Sequence, residues 1–370
     1  MNDESGDTLR GTLHIFVAFD WGEEIDLERA GKLAAGEAHA LARRSRTPAS
    51  LVYQPAPWRF RLAPTELELG ELGRIEAAAE ATLFDLGAVS VGLHVPFVLP
   101  LPAIQRLAGS LANSAPIVEA VRQALLPLHA KVLPAIKEPE SSQLSEEYFV
   151  FHFTPGEAAA PLVNRPERML TEQAVWAAGV LRLENEPLSL NEVAEATRLH
   201  ISYTPHDLFV PEWSAALLVD HNCEETLQTI EYANLQLLEY RHIDNRLDER
   251  LAGAYKLIHP LKRSWLPFWR MHGRQLRDLG ELRIEMHDVF ERTGNVLKLV
   301  GDQYLARCYQ LLAARFHLDE WEENIERALE VVEGAYQVVS DQSATIRTEV
   351  LEIIVIVLIA MEIIMAFVGH

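Results

Sequence analysis

Three histidines, His200, His206 and His221, stand among the acids Asp207, Glu212 and Asp220. Imidazoles beside carboxylates are the side chains from which a metal site is assembled. These spacings match no ligand pattern, and a solvated hairpin explains them better. Ser90 lies between Gly87 and Gly92 without the spacing of a nucleophile elbow, so a bend in a strand is the reading there. The chain has no phosphate-cradling GxxxxGKS/T, no GxGxxG after a strand, no HExxH and no paired CxxC. Catalytic residues, metal ligands and cofactors are therefore all expected to be none, and the chain is read as non-enzymatic.

Three other groups could act physically rather than chemically. In a helix from about Glu224 to Leu257, Asn234, Gln236, Glu239, Arg241, Asp244 and Asp248 interrupt an apolar stripe of Ile230, Leu237, Leu238, Ile243, Leu247 and Leu251. Arg241 is spaced to reach Asp244, and Arg246 to reach Glu249. Asn234, Glu239, Arg241, Asp244 and Asp248 form the candidate interhelical polar network. Buried, they set register at a cost in stability; exposed, they matter little. Residues 256–277 hold Lys256, Lys262, Arg263, Arg270, Arg274 and Arg277 with no acid, interleaved with Trp265, Phe268 and Trp269. Such a mixture suits a headgroup layer, an RNA surface or an acidic protein. It equally suits the chain's own acidic helices. Lys262, Arg263, Trp265, Trp269, Arg270 and Arg274 are the candidate partner contacts.

The third group is the stretch from Val350 to Val368, apolar except at Glu352 and Glu362. A single-pass helix needs about 20 apolar residues and can manage with about 17. Each Leu, Ile, Val or Phe favours insertion by about 0.3–0.6 kcal/mol, against about 2.5–3.5 kcal/mol for one central acid. The balance favours a short tail anchor, with Leu351, Ile353, Ile356, Val357, Leu358, Ile359, Glu362, Ile363 and Ile364 as its residues. Glu362, with no second relay residue, marks a self-association face rather than a proton path. The competing reading is a helix buried in an oligomeric bundle.

These groups need elements to hold them. Leu13 to Phe19 reads as a strand, Asp26 to Ala42 as a helix, and Ser50 to Tyr53 with Trp58 to Leu62 as extended chain. Ala81 to Phe97 reads as a strand or hairpin bending at Gly87. Pro102 to Val132 is helical, broken by Pro116 and Pro127, and Glu147 to Phe153 is a strand. The resulting order, strand-helix-strand-strand-helix-strand, is that of a ferredoxin-like βαββαβ domain. Residues 156–168 read as a linker, followed by helices Leu170–Leu183 and Leu190–Leu199 and strands His206–Val210 and Ala215–Asp220. Glu192 and Glu195 on the second helix would repel phosphate, so packing explains this unit better than DNA binding.

A second long helix is expected over Arg274 to Phe316, and a last one is capped at Asp319 with Glu322 three residues on. Its residues Trp321, Ile325, Ala328, Val332, Ala335 and Val339 keep a coiled-coil seam that Ile346 resumes and Val350, Ile353, Val357, Ala360, Ile364 and Phe367 carry to the end. Some fifty helical residues would reach about 75 Å. The expected division is a leader (1–8), an α/β domain (9–155), a linker with a helix-helix-hairpin subdomain (156–220), a helical coiled-coil stalk (221–349) and the tail helix (350–368). The fold class is α+β with a mainly helical second half.

At 370 residues the chain exceeds one ordinary core. Its net charge of −21 argues against a body that coats nucleic acid or anionic lipid. Cys223 and Cys308 are the only cysteines, so no disulfide framework is implied and a reducing compartment fits. The polar, acidic start carries no signal-peptide pattern.

Three passages carry a family resemblance: TLFDLGAVSVG at 82–92 with EEYFVF at 146–151, IEYANLQLLEYRHID at 230–244, and RTEVLEIIVIVLIAMEII at 347–364. Over residues 80–370 the chain resembles the "required for meiotic nuclear division" family, whose shared domain is of unknown function. Residues 156–220 depart from its mitochondrial members and look more like bacterial relatives. The resemblance implies membrane attachment and, more weakly, support of translation. The expectation is a membrane-tethered scaffold at the cytoplasmic membrane, single-pass, its body in the cytosol, homo-oligomeric and holding an unidentified protein partner. The alternatives are a ligand-sensing or enzymatic ferredoxin-like domain signalling through the stalk, and an RNA or ribosome tether. DNA is not an expected partner.

Overall fold

The computed structural model describes residues 8–34, 38–40, 57–139, 144–258, 303–334, 337, 355–356 and 358–361. Two compact units divide it: Met1–His242 with Val289–Glu320, and Ile243–Asp288 with Trp321–His370.

The first unit is built on strand β1, Thr8–Asp20, whose alternation assigns one face to each of two jobs. Leu13, Ile15, Val17 and Phe19 enter the large core, while His14, Phe16, Ala18 and Asp20 point to the opposite side. Short β2 (Gly22–Ile25) leads to α1 (Leu27–Leu33), capped where Asp26 accepts from the Arg29 amide. This helix is shorter than its alanine-rich sequence suggests. Residues Ala38–Ala40 instead form β3, paired with β4 (Trp58–Arg61), because a sheet edge offers hydrogen bonds that outweigh local propensity.

Strand β5 (Thr65–Leu69) pairs with β6 (Gly73–Leu83), and β6 turns tightly into β7 (Ala88–Pro100). Gly87 makes that turn at φ 97°, and a Cβ there would meet the Gly22 carbonyl oxygen at 1.7 Å, so the expected bend is a glycine requirement. Two helices follow, α2 (Leu101–Leu111) and α3 (Ala115–Val132). Pro116 opens α3, where its missing N–H is no loss, rather than breaking a helix. Pro127 lies inside α3 without ending it. Residues 123, 126 and 127 are exposed, so water can serve the freed carbonyl, while Leu125, Leu128 and Val132 anchor the buried side.

After β8 (Ile136–Pro139), strand β9 (Ser145–Phe153) pairs with β1. The linker region contains short helices α4 (Pro161–Asn164) and α5 (Glu167–Thr171), and then α6 (Ala174–Leu181) and α7 (Leu190–Ala196). Strands β10 (Leu208–Pro211) and β11 (Ala215–Val219) do not stand apart in a separate hairpin subdomain. β11 lies parallel to β9, so both extend the main sheet.

The nine-stranded sheet runs β10-β11-β9-β1-β7-β6-β4-β3, with β5 branching from β6. One face is covered by α1, α2, α3 and α6, whose Ala30, Leu107, Leu125 and Trp176 share the main core. The other receives α8 (Glu224–Ile258), whose Leu235 and Leu238 meet Ala18, Phe84, Leu86 and Ala88. Helix α9 (Gln303–Arg315) closes the unit.

Helix 318–334 begins at Leu318, one residue ahead of the expected Asp319 cap, after His317 at φ 52°. In the second unit Ile325 and Val332 are buried, seven residues apart on the expected seam. Residues 355–356 and 358–361 are helical. Among the described residues no helix is long and apolar enough to cross a membrane. The stretches 43–56 and 259–302, and most of 335–370, lie outside the described residues.

Candidate functional site

The α8 side of the sheet is polar where sheets are usually apolar. Cross-strand register sets His14 of β1 opposite His94 of β7 and Val150 of β9, while His152 lies opposite Thr12. The same face carries Arg59 of β4, Glu80 and Thr82 of β6, and Ser90 and Gly92 of β7. Glycine at position 92 leaves room beside the Phe16 ring. Above them runs the first stretch of α8, with Cys223 at its threshold accepting the Leu227 amide at 2.8 Å. Between sheet and helix lies a cavity of about 370 Å³ lined by His14, Arg59, Glu80, His94, Cys223 and Glu231, among others.

The histidines are tightly coupled. His14 and His94 approach Nδ1 to Nδ1 at 2.7 Å, so one ring donates and the other accepts. His152 Nε2 lies 2.9 Å from the Asp220 carbonyl oxygen, an acceptor that fixes the proton on Nε2 and leaves Nδ1 a lone pair. His14 Nε2 is buried with no hydrogen-bond partner among the described residues, an unmet bond that ordinarily costs about 1–3 kcal/mol. Burial holds all three rings neutral: His14 is driven down to about 3, first by desolvation and then by His94 and His152. His94 and His152 are also lowered chiefly by burial. Burial, reinforced by Asp220, pushes the Cys223 thiol up to about 11.

The donor atoms of His14, His152 and Cys223 all lie within 4.8 Å of one another. Arg59 crosses the gap from sheet to helix: it bonds Glu231 at 3.2 Å and Thr82 at 3.3 Å, and pairs with Glu80 at 3.8 Å. The lining therefore sets three carboxylates, Glu80, Glu224 and Glu231, against one guanidinium.

The residues expected from spacing are distributed otherwise. His200 and His206 bond the carbonyls of Thr197 and Asn164 at the surface, and His221 is exposed. Asp207 closes a turn through the amides of Tyr203 and Thr204. Glu212 is buried between Arg182 at 3.2 Å and Arg315 at 3.5 Å. Arg315 also reaches Glu195 and the Pro211 carbonyl, so this cluster locks α7, α9 and β10 together.

Within the polar network, Asn234 is buried and donates to the Glu146 carbonyl of β9 at 3.1 Å. Arg241 pairs with the Glu146 carboxylate rather than with Asp244 three residues on. Glu239 is buried, and Asp244 has a raised pKa from burial and then from Asp248. The network thus joins helix to sheet at Asn234 and Arg241. The partner-contact residues Lys262, Arg263, Trp265, Trp269, Arg270 and Arg274 lie outside the described residues. So do Leu351, Ile353, Val357, Glu362, Ile363 and Ile364, while Ile356, Leu358 and Ile359 are helical and exposed.

Sequence reasoning missed His14, His94, His152 and Cys223. They stand far apart along the chain, and no local spacing joins them. The only signal was histidine on otherwise apolar strands, LHIFVAF and YFVFHF.

A protein of Methanocaldococcus jannaschii, described as "Uncharacterized protein MJ0711", is 25% identical over 241 residues, 65% of this chain and 71% of the relative. No solved structure matches. These matches support an uncharacterised domain family and do not extend to the meiotic nuclear division family. Residues 10–225, more than half of the sequence, match the model described as "Uncharacterized protein MJ0711, N-terminal domain", and the chain belongs to that family.

Proposed function

We propose that the α/β part of the first unit, its head, is a ligand-sensing domain that takes a small, positively charged ligand into the cavity between sheet and α8. The observation that carries this is the cavity itself: about 370 Å³, within the range of small-molecule sites, with convergent polar groups from four strands and one helix. Its carboxylates outnumber its guanidinium, and its histidines are held neutral, so a cation is favoured over an anion. Helix α8 lines the cavity through Glu224, Leu227, Gln228 and Glu231 and continues to Ile258, which gives occupancy a route to the helical region. The antiparallel neighbours β9-β1-β7-β6, with α1 and then α2–α3 in their connections, support reading this head as an elaborated ferredoxin-like core.

The test is a thermal-shift screen of the full chain with small mono- and polyamines and basic amino acids, repeated on Gln228→Trp, which fills the cavity. Ligands that stabilise the parent and not the variant support the reading. A parent unmoved by every cation, or equal shifts in the variant, would reject it.

A second reading, the membrane-tethered oligomeric scaffold, is favoured by a run of exposed apolar side chains: Val355, Ile356, Leu358, Ile359 and Met361 are each at least half exposed. The resemblance of residues 347–364 to the meiotic nuclear division family belongs to this reading, as do the basic-aromatic partner contacts and the RNA or ribosome alternative. Fractionation of the full chain beside one ending at Arg347, with high-salt and alkaline washes, separates them. A full chain that pellets and resists both washes, with the shorter one soluble, supports the tether; equal solubility removes it.

A further inference from the structure

We propose that His14, His152 and Cys223 form a binding site for one zinc-class transition metal ion beside the cavity that His14 and Cys223 line. The donor set, two imidazoles and a thiol, is the borderline-soft kind that selects zinc over magnesium or calcium. The Asp220 carbonyl fixes His152 for it, and one of the two tautomers open to the His14–His94 pair suits His14. The Asp220 carbonyl holds the proton of His152 on Nε2 and leaves Nδ1 as the donor atom. A proton on His14 Nδ1, given to His94, leaves Nε2 as a buried lone pair with no partner among the described residues. Supporting a ligating imidazole from its far nitrogen is what outer hydrogen bonds do in metal sites.

Tetrahedral zinc with Zn–N near 2.0–2.1 Å and Zn–S near 2.3 Å sets its donor atoms about 3.3–3.6 Å apart. The donors here lie within 4.8 Å, so small side-chain rotations bring them into range. Binding expels the Cys223 proton to solvent, giving thiolate, and breaks no other bond. Three protein ligands leave a fourth position, and His14 and Cys223 also line the cavity, so a water drawn from it completes the sphere. The inference uses the cavity only as the source of that water and does not rest on the cation reading.

The experiment is titration of the purified full chain with zinc against a chromophoric chelator, and with cobalt while recording absorbance. One equivalent of metal and a thiolate-to-cobalt charge-transfer band are expected. Cys223→Ser should abolish the band. Cys223→Ser, His14→Gln and His152→Gln should each weaken zinc binding more than about a hundredfold, beyond the loss of a supporting hydrogen bond alone. His206→Gln, at the surface, should bind as the parent does.

Should a variant fail to fold, zinc protection of Cys223 from alkylation in the unsubstituted chain, mapped by mass, decides the same question. No stoichiometric metal, binding retained in Cys223→Ser, or Cys223 alkylated equally with and without zinc overturns the proposal. A chain that takes organic cations but no metal overturns this inference and leaves the cavity reading standing. Metal bound by a chain that takes no organic cation supports the inference and rejects the other.

Discussion

At the residue scale, what distinguishes this protein is how it uses buried polarity. Glu212 is 2% exposed and sits between two guanidiniums, Arg182 and Arg315. Arg315→Met leaves Glu212 with Arg182 alone and takes a donor from the Pro211 and Glu195 carbonyls, so stability is expected to fall by about 1–3 kcal/mol, read from the urea midpoint. The same substitution made on Glu212→Gln should lose less, with a coupling of about 0.5–3 kcal/mol. Equal losses in both backgrounds would show that Arg315 acts through Glu195 and its carbonyl contacts rather than through Glu212. The histidine face is a different use of the same principle. There the groups are neutral, and one ring nitrogen lacks a partner among the described residues.

At the element scale, the β6–β7 turn and helix α8 carry the consequences. Gly87 turns the chain at φ 97° against the Gly22 carbonyl, so Gly87→Ala combines left-handed strain with a backbone clash. Destabilisation of at least about 3 kcal/mol is expected by chemical unfolding, and a near-neutral result would mean the hairpin can reorganise. On α8, Asp244 and Asp248 are like charges four residues apart, and burial and Asp248 raise the Asp244 pKa. A carboxyl whose folded pKa is raised penalises the fold while it is ionised, and the penalty fades as pH falls through that pKa. Asp244→Asn should thus raise the unfolding midpoint slightly at pH 7, by about 0.2–0.5 kcal/mol, and change little near pH 3.5. A gain that grows on acidification would refute the assignment. Helix α3 shows the limit of local rules, because proline chemistry predicts a break at Pro127 and none occurs. Its burial pattern explains why: Leu125, Leu128 and Val132 hold the inner side while the proline lies outside.

At the scale of the whole molecule, a net charge of −21 repels itself, and salt screens that repulsion over about 10 Å at 0.1 M. Thermal unfolding of the full chain is expected to shift upward as sodium chloride is raised from about 0.01 M to about 0.1 M, where the screening length falls from about 30 to about 10 Å. A downward shift would show that attractive pairs such as Arg59–Glu231 outweigh the repulsion. Much of the architecture was legible from the chain alone. Strand β1, the hairpin at Gly87, β9 and α8 follow from periodicity and glycine, because each is specified by its own residues and their neighbours. The mixed α and β character follows from the same signals. The end of α1, the strand at Ala38–Ala40 and the placing of β10 and β11 in the main sheet were not legible, since each depends on hydrogen bonds offered by strands distant in sequence. The candidate site was invisible for the same reason. Residues 14, 94, 152 and 223 carry no motif, and only the antiparallel register of three strands, with a helix laid across them, brings imidazole, imidazole and thiol within a few ångströms. Local sequence determines which segments can be strand or helix through short-range sterics and hydrophobic period. Which side chains meet is decided by long-range pairing and burial, and those forces exist only once the chain has closed on itself.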